Sequence, residues 1–367
     1  MVKRVPMNLL QHYQNQHPNN EFYLPRKKQL GEYTKINIYG VRGAGKTALV
    51  LDYLLEYNLQ KILYIDCEDP NLYFSSLDYL DLQNFICTNS INTLVLDHYL
   101  PTLLTQIPKV EKIIILTRKK LTYQEFTFIE LFPLDYEEFL VFERGVSQST
   151  SFNHFLKLGT LPMMARSIKN SSMVLKLFLQ SKFSYQEQLL LILLAHHQTK
   201  HLTIHQLYIY AKEKFKVSKD WLYKTIAEFK EEGIVYFIDD VYQKGGKKMI
   251  LFDFAFAKYL SITQPFITQF DTMVALALLK HHIGFKTLGI HGYLNENHEL
   301  LIPAPFESEE SIWKRSHSKF ALYKKYNVEK VIIITVANQY EYHIENILFE
   351  ALPFYEWSIL NEDVIEE

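Results

Sequence analysis

Between Lys35 and Lys120 the apolar residues come in short, nearly continuous runs, each closed by polar or acidic residues. They are KINIYG (Lys35 to Gly40), KILYIDCEDP (Lys61 to Pro70), INTLVLDHYL (Ile91 to Leu100) and EKIIILTRKK (Glu111 to Lys120). Runs this short, rich in Ile, Val and Leu, predict strands buried on both faces. TALVLDYLLEY (Thr47 to Tyr57) instead spaces Leu49, Leu51, Leu54 and Leu55 for a helix and contains no breaker. Strands alternating with crossovers predict an α/β fold with a parallel, doubly wound sheet. Functional residues of such a sheet gather at the carboxyl ends of its strands. Lys46, Glu68, Asp97 and Thr117 all fall there.

From Tyr185 the period changes. YQEQLLLILLAHH (Tyr185 to His197) reads as an apolar-faced helix, TIHQLYIYAKEKF starts at Thr203 as an N-cap, and SKDWLYKTIAEFKEEG starts at Ser218 and stops at Gly233. IVYFIDDVYQKGGKKMILFDF (Ile234 to Phe254) reads as strand, glycine turn, strand. Three helices and a hairpin predict a winged helix-turn-helix. Beyond it, FDTMVALALLKHHIGF (Phe270 to Phe285) predicts a helix, and KTLGIHGYL, HELLIPAPF and EKVIIITV predict strands.

The chain has 12 glycines in 367 residues, yet Gly40, Gly43 and Gly45 fall together in Gly40-Val41-Arg42-Gly43-Ala44-Gly45-Lys46-Thr47. This is G-x-x-x-x-G-K-T between a predicted strand and a predicted helix, the context of a phosphate-binding loop. Glycines let backbone N–H groups converge on phosphate oxygens, and the helix N-terminus adds partial positive charge. Gly40 to Ala48 is therefore the expected ATP site. Lys46 is expected to reach the β- and γ-phosphates, and Thr47 to place its hydroxyl on Mg²⁺. Asp97 is the expected acid that supports Mg²⁺. A glutamate that activates water often follows such an acid. Here His98 follows, either as a base at neutral pH or as the mark of slow hydrolysis. Glu68 is an alternative base or a solvated acid.

The remaining composition narrows the partners. The formal charge is −2, so no global basic field draws nucleic acid or an anionic membrane. Two cysteines, Cys67 and Cys87, fit a reducing compartment. MVKRVPMNLLQHYQNQHPNN lacks the apolar core of a secretory signal, and no window is long and apolar enough for a membrane span. The expected setting is cytoplasmic.

In order, GVRGAGKT, ILYIDCEDP, LVLDHY, IIILT, FIELFPLDYEEFL and FLKLGTLPMM resemble the archaeal-type ATPases of the AAA+ superfamily, in the branch related to STAND ATPases. The resemblance covers most of the chain and implies an ATPase domain, a winged helix and a C-terminal domain like a PD-(D/E)xK nuclease. It implies that Arg42 acts in the loop, that Thr117 occupies the sensor-1 place, and that Pro162 packs on nucleotide. Read from the residues alone, Gly159 and Pro162 are a helix stop. The chain departs from the pattern at His98, at Arg118 to Lys120 where small residues are usual, and before the Pro-Leu segment, where a Gly-Arg pair is missing. These departures put efficient hydrolysis in doubt. Arg118, Arg144 and Arg166 are equal candidates for an arginine finger.

The implied division is an extension at 1–30, the P-loop ATPase at 31–165, a helical and winged-helix region at 166–262 and a nuclease-like domain at 263–367. The winged helix can contact double-stranded DNA through Lys219, Lys224 and Lys230 or through the turn Lys244 to Lys248. Asp220, Glu228, Glu231 and Glu232 on the same helix oppose that. The alternative is an interdomain lid or contact with a protein partner. His197, His201 and His205 follow one another at four-residue spacing, but they span a helix junction with no completing ligand, which disfavours metal. In the C-terminal region Glu299 and Asp271 match nuclease acids, but no acid-x-lysine follows, so a degenerate site is expected. The reading as a whole is a slow ATPase whose nucleotide state repositions the winged-helix and nuclease-like regions. Its alternative is a DNA-binding protein with a vestigial ATPase site.

Overall fold

The computed structural model describes residues 3–4, 7–15, 23–72, 75–104, 106–143, 147–165, 170–242, 245–261 and 263–360. Arg144, Arg166, Lys244 and the acidic tail lie outside the described residues. The chain divides into two compact units, residues 1–133 and 134–367.

In the first unit, β1 (Lys3–Arg4) and α1 (Met7–Asn15) precede β2 (Lys35–Tyr39), α2 (Lys46–Leu54) and β3 (Ile62–Asp66). There follow β4 (Ser75–Ser76), α3 (Tyr79–Thr88), β5 (Thr93–Asp97), β6 (Lys112–Leu116) and β7 (Thr127–Glu130). Five strands form one parallel sheet in the order β3-β5-β6-β2-β7. All four apolar runs are strands of it. Ile113, Ile114 and Ile115 of β6 and Leu94, Val95 and Leu96 of β5 are at most 1% exposed, as strands covered on both faces require. The edge strand β7 was not foreseen as a strand. Its segment is short, and only Ile129 in it is fully buried. Helix α1 seats Leu10 and Tyr13 in the same core as Leu63 and Ile65 of β3.

The register positions the chemistry. Asp66 pairs with Asp97 across β3 and β5, so two carboxylates end adjacent strands. β6 lies between β5 and β2, so Thr117, the residue after β6, falls between Asp97 and the glycine loop that follows β2.

The second unit begins with α4 (Tyr136–Phe142), α5 (Gln148–Leu158), α6 (Pro162–Ala165) and α7 (Ser171–Lys182). Next come α8 (Tyr185–His196), β8 (His201–Leu202), α9 (Ile204–Lys214), α10 (Lys219–Glu231), β9 (Val235–Ile238), β10 (Lys247–Leu251) and α11 (Phe254–Leu260). Thr203 caps α9 through the backbone N–H of Gln206, and Ser218 caps α10 through that of Trp221. The three strands form an antiparallel sheet in the order β8-β10-β9.

The last stretch contains α12 (Phe266–Lys280), β11 (Phe285–Thr287), β12 (Tyr293–Asn295), β13 (Glu299–Pro303), α13 (Glu309–Lys325), β14 (Lys330–Thr335), β15 (Tyr340–Ile344), β16 (Ile347–Pro353) and α14 (Phe354–Leu360). Its sheet runs β11-β12-β13-β14-β16-β15, parallel through β13, β14 and β16 and antiparallel at both edges. The fold is therefore α/β, with a parallel sheet in the first unit and a mixed sheet in the second. Among the described residues no helix is long and apolar enough to cross a membrane.

Candidate functional site

The glycine loop turns between β2 and α2 with Gly40, Gly43 and Gly45 at φ 139°, 84° and 97°. Side chains resist these angles. A Cβ on Gly40 would also stand 2.3 Å from the Leu131 carbonyl oxygen, so the strand edge closes behind the loop only because no side chain is there. Gly45 is the residue before α2 and carries no side-chain cap, and the first turn of the helix has no acid. The first-turn N–H groups thus have no internal acceptor from a cap, which suits an anion.

Lys46 Nζ donates to the carbonyls of Gly40 at 2.7 Å and Val41 at 3.0 Å, so its amine lies across the loop. Arg26 braces the loop. It is 9% exposed and donates through Nη1 to the Ala44 carbonyl at 2.8 Å and through Nη2 to the Phe132 carbonyl at 2.9 Å. Arg42 and Val41 are buried, and Ala48 is half-buried in the first turn of α2.

Asp97 and Thr47 are brought together. Thr47 Oγ1 donates to Asp97 Oδ2 at 2.7 Å. Tyr64 on β3 donates to the same oxygen at 2.6 Å, and the His98 backbone N–H to Oδ1 at 2.8 Å. Asp97 is only 2% exposed, so these donors hold a carboxylate that water barely reaches. Burial, then the charge of Asp97, pushes the Tyr64 phenol far up, which keeps it a proton donor.

His98 sits at φ 53°, a left-handed conformation uncommon for a side-chain-bearing residue. Its Nδ1 lies 2.9 Å from Asp66 Oδ1 and its Nε2 3.9 Å from Glu68 Oε2. The hydrogen bond to Asp66 raises the imidazole pKa, against the opposing effect of burial. Glu68 pairs with Arg118 Nη2 at 2.8 Å, so the alternative base and one candidate finger neutralise each other. Thr117 is buried. It donates to the Lys119 carbonyl at 2.7 Å and accepts from Asn37 Nδ2 at 2.9 Å.

Four residues of this constellation escaped sequence reasoning. Asn37 was legible in principle, as a polar residue inside the apolar run of β2. It is fully buried and bonds Ile115, Thr117 and Leu121 at once. Tyr64 and Asp66 come into reach through the β3–β5 register. Arg26 carries no sequence signal at all.

Pro162 begins α6 in the second unit. Gly159 ends α5 at φ 77°, and a Cβ there would stand 2.5 Å from Asp253 Oδ2. That is a helix stop and a close approach together. In β10 and α10, Lys247 pairs with Asp239 at 2.8 Å, Lys248 with Asp271 at 2.6 Å and Lys224 with Glu228 at 3.8 Å. His197 stacks on Tyr210, and His201 bonds Thr287. Glu299 accepts from Asn295, and Asp271 accepts from Tyr293.

The residues present fit a phosphate group with Mg²⁺. The positive-φ glycines let the loop backbone turn toward an anion, the α2 N-terminus is uncapped, and Thr47 and Asp97 offer the hard oxygen donors that Mg²⁺ prefers.

The chain matches no protein-family model and no curated protein. Among solved structures it is similar to a Walker-type ATPase of Pyrococcus abyssi, at 14% identity over 63% of this chain and 92% of that one, with a TM-score of 0.43. It is also similar to the Orc1 protein of Aeropyrum pernix, solved in complex with DNA, at 11% identity over 63% and 87%, TM-score 0.31. A third is Cdc6p from Pyrobaculum aerophilum, at 12% identity over 75% and 95%, TM-score 0.25.

Proposed function

We propose that this chain is an ATP-binding protein of the AAA+ type, with slow turnover, whose nucleotide state is passed to the helical and mixed-sheet parts of the second unit. The observation that carries the reading is the Thr47–Asp97 hydrogen bond at the mouth of the glycine loop. It places a hydroxyl and a carboxylate together beside the uncapped helix N-terminus.

The roles follow from the geometry. Loop N–H groups and the α2 N-terminus bind phosphate oxygens, and Lys46 exchanges its loop carbonyls for phosphate. Thr47 and Asp97 would hold Mg²⁺, which when bound neutralises phosphate charge. Tyr64 orients Asp97 by its hydrogen bond. His98, tethered through Nδ1 to Asp66, leaves Nε2 to accept a proton from water. A base whose pKa the Asp66 carboxylate raises, with Glu68 occupied by Arg118, suits slow hydrolysis.

The test is calorimetric binding of Mg-ATP together with phosphate release, for wild type beside Lys46→Ala and Thr47→Ala. Lys46→Ala is expected to weaken binding about tenfold or more, the cost of losing hydrogen bonds to a charged group. It is expected to abolish turnover. Thr47→Ala should lose the Mg²⁺ dependence of binding. Wild type that binds no Mg-ATP would sink the reading. Hydrogen exchange in residues 134–367 that is identical with and without nucleotide would sink the switching part alone.

A further inference from the structure

Within the second unit, α12, α13, β13 and the turn before β12 enclose a cavity of about 310 Å³, far along the chain from the glycine loop. Its charged lining is Lys248, Arg315 and Lys319 against one carboxylate, Asp271, with the His291 imidazole beside them. Asp271 is fully engaged: Oδ2 pairs with Lys248 at 2.6 Å and Oδ1 accepts from Tyr293 at 2.5 Å. It is the residue a nuclease reading assigns to metal. Here a lysine holds it, and no other carboxylate lines the cavity.

The cations are less satisfied. Arg315 gives Nη1 to Glu307 at 2.6 Å, but its Nη2 is buried without a hydrogen-bond partner among the described residues. Lys319, one helical turn on, is half-buried and has no acidic partner among the described residues. The two basic groups therefore present one face of α13 to a partly enclosed space that the apolar Ile302 also lines. The field is felt locally: burial first, then Lys319 and Arg315, lower the pKa of His291.

The geometry points to an anion site in this cavity that takes a phosphoryl group through Arg315 and Lys319. The cavity volume, at the small end of ligand pockets, leaves room for an organic part beside the phosphate. Arginine supplies a fork for two oxygens and lysine a point charge, the pairing phosphate recognition favours. The source of the phosphoryl group is a small phosphorylated molecule or the end of a nucleic-acid strand.

The test titrates inorganic phosphate, at constant ionic strength, into the full chain and into Lys46→Ala. The readout is the His291 ring resonance by NMR, assigned by its loss in His291→Gln. A saturable shift, equal in wild type and Lys46→Ala, is expected, weakened about tenfold by Lys319→Gln. Equality between those two proteins separates this site from the glycine loop, so the ATP reading can fail while this one stands. Lys319 is half-exposed, so its replacement is not expected to unfold the protein. Arg315→Lys supplies a second variant that keeps the charge and loses the fork. No saturable shift, or one that both variants leave unchanged, overturns the site. Adenosine monophosphate and a 5′-phosphorylated single-stranded oligonucleotide, compared at equal phosphate, tell the source by which binds more tightly.

Discussion

At the residue scale the glycine loop is tightly constrained. Gly40→Ala must accept a φ of 139° and a contact of 2.3 Å with the Leu131 carbonyl. It is expected to lower stability by about 1–3 kcal/mol and to abolish Mg-ATP binding, read as a denaturation midpoint beside a calorimetric titration. How much of the site was legible depends on sequence distance. Gly40, Gly43, Gly45, Lys46 and Thr47 announce themselves because the loop chemistry needs them adjacent. Asp97 was legible because it closes an apolar run. Asp66 and Tyr64 were not, because β3 meets β5 only through sheet register, and Arg26 was not, because it reaches Phe132 from more than a hundred positions away. Asn37 could have been found by asking what a buried amide does inside a strand.

At the element scale, Asp253 joins helices distant in sequence. It caps α11 through the Phe256 N–H at 2.6 Å and accepts from both the N–H and the hydroxyl of Thr160. Burial raises its pKa, and the donors oppose that. Asp253→Ala removes the cap and leaves Thr160 unsatisfied. The expected loss is about 2 kcal/mol or more, measured by chemical denaturation. The reading of 159–162 as a plain helix stop was half of the matter. Glycine also stands there because a carboxylate from far along the chain occupies the space. Elements with strong local signals, the capped helices α9 and α10 and the apolar strands, were legible. The edge strand β7 was not, since its identity comes from pairing with β2 rather than from its own pattern.

At the scale of the whole molecule, buried histidines contribute to how stability responds to acid. His197, His201 and His291 have pKa values below the ordinary histidine range, each chiefly through burial. Their stabilising contribution is therefore present above about pH 6.5 and is lost as pH falls toward their lower folded values. His98, with its raised pKa, contributes in the opposite sense. Denaturation midpoints at pH 7.5 and 5.5 should show a fall on acidification, and His201→Gln should show a smaller one. An equal fall in both would remove His201 from the account. The order of segments along the chain was legible, since turn signals and changes of period mark it. The engagement of Lys247 and Lys248 by acids was not, because their partners come from other elements.

The brace formed by Arg26 bears on what counts as dispensable in this protein. A fragment cut to begin at residue 31 keeps every residue of the glycine-loop motif and of the Thr47–Asp97 pair. It sheds the guanidinium that ties the Ala44 carbonyl to the Phe132 carbonyl, and with it the helix that roofs β3. Such a fragment would carry the signature intact and its scaffold unfinished. The smallest intact piece of the first unit is thus set by a residue outside the motif, and trimming guided by motifs alone would leave the glycine loop without its brace.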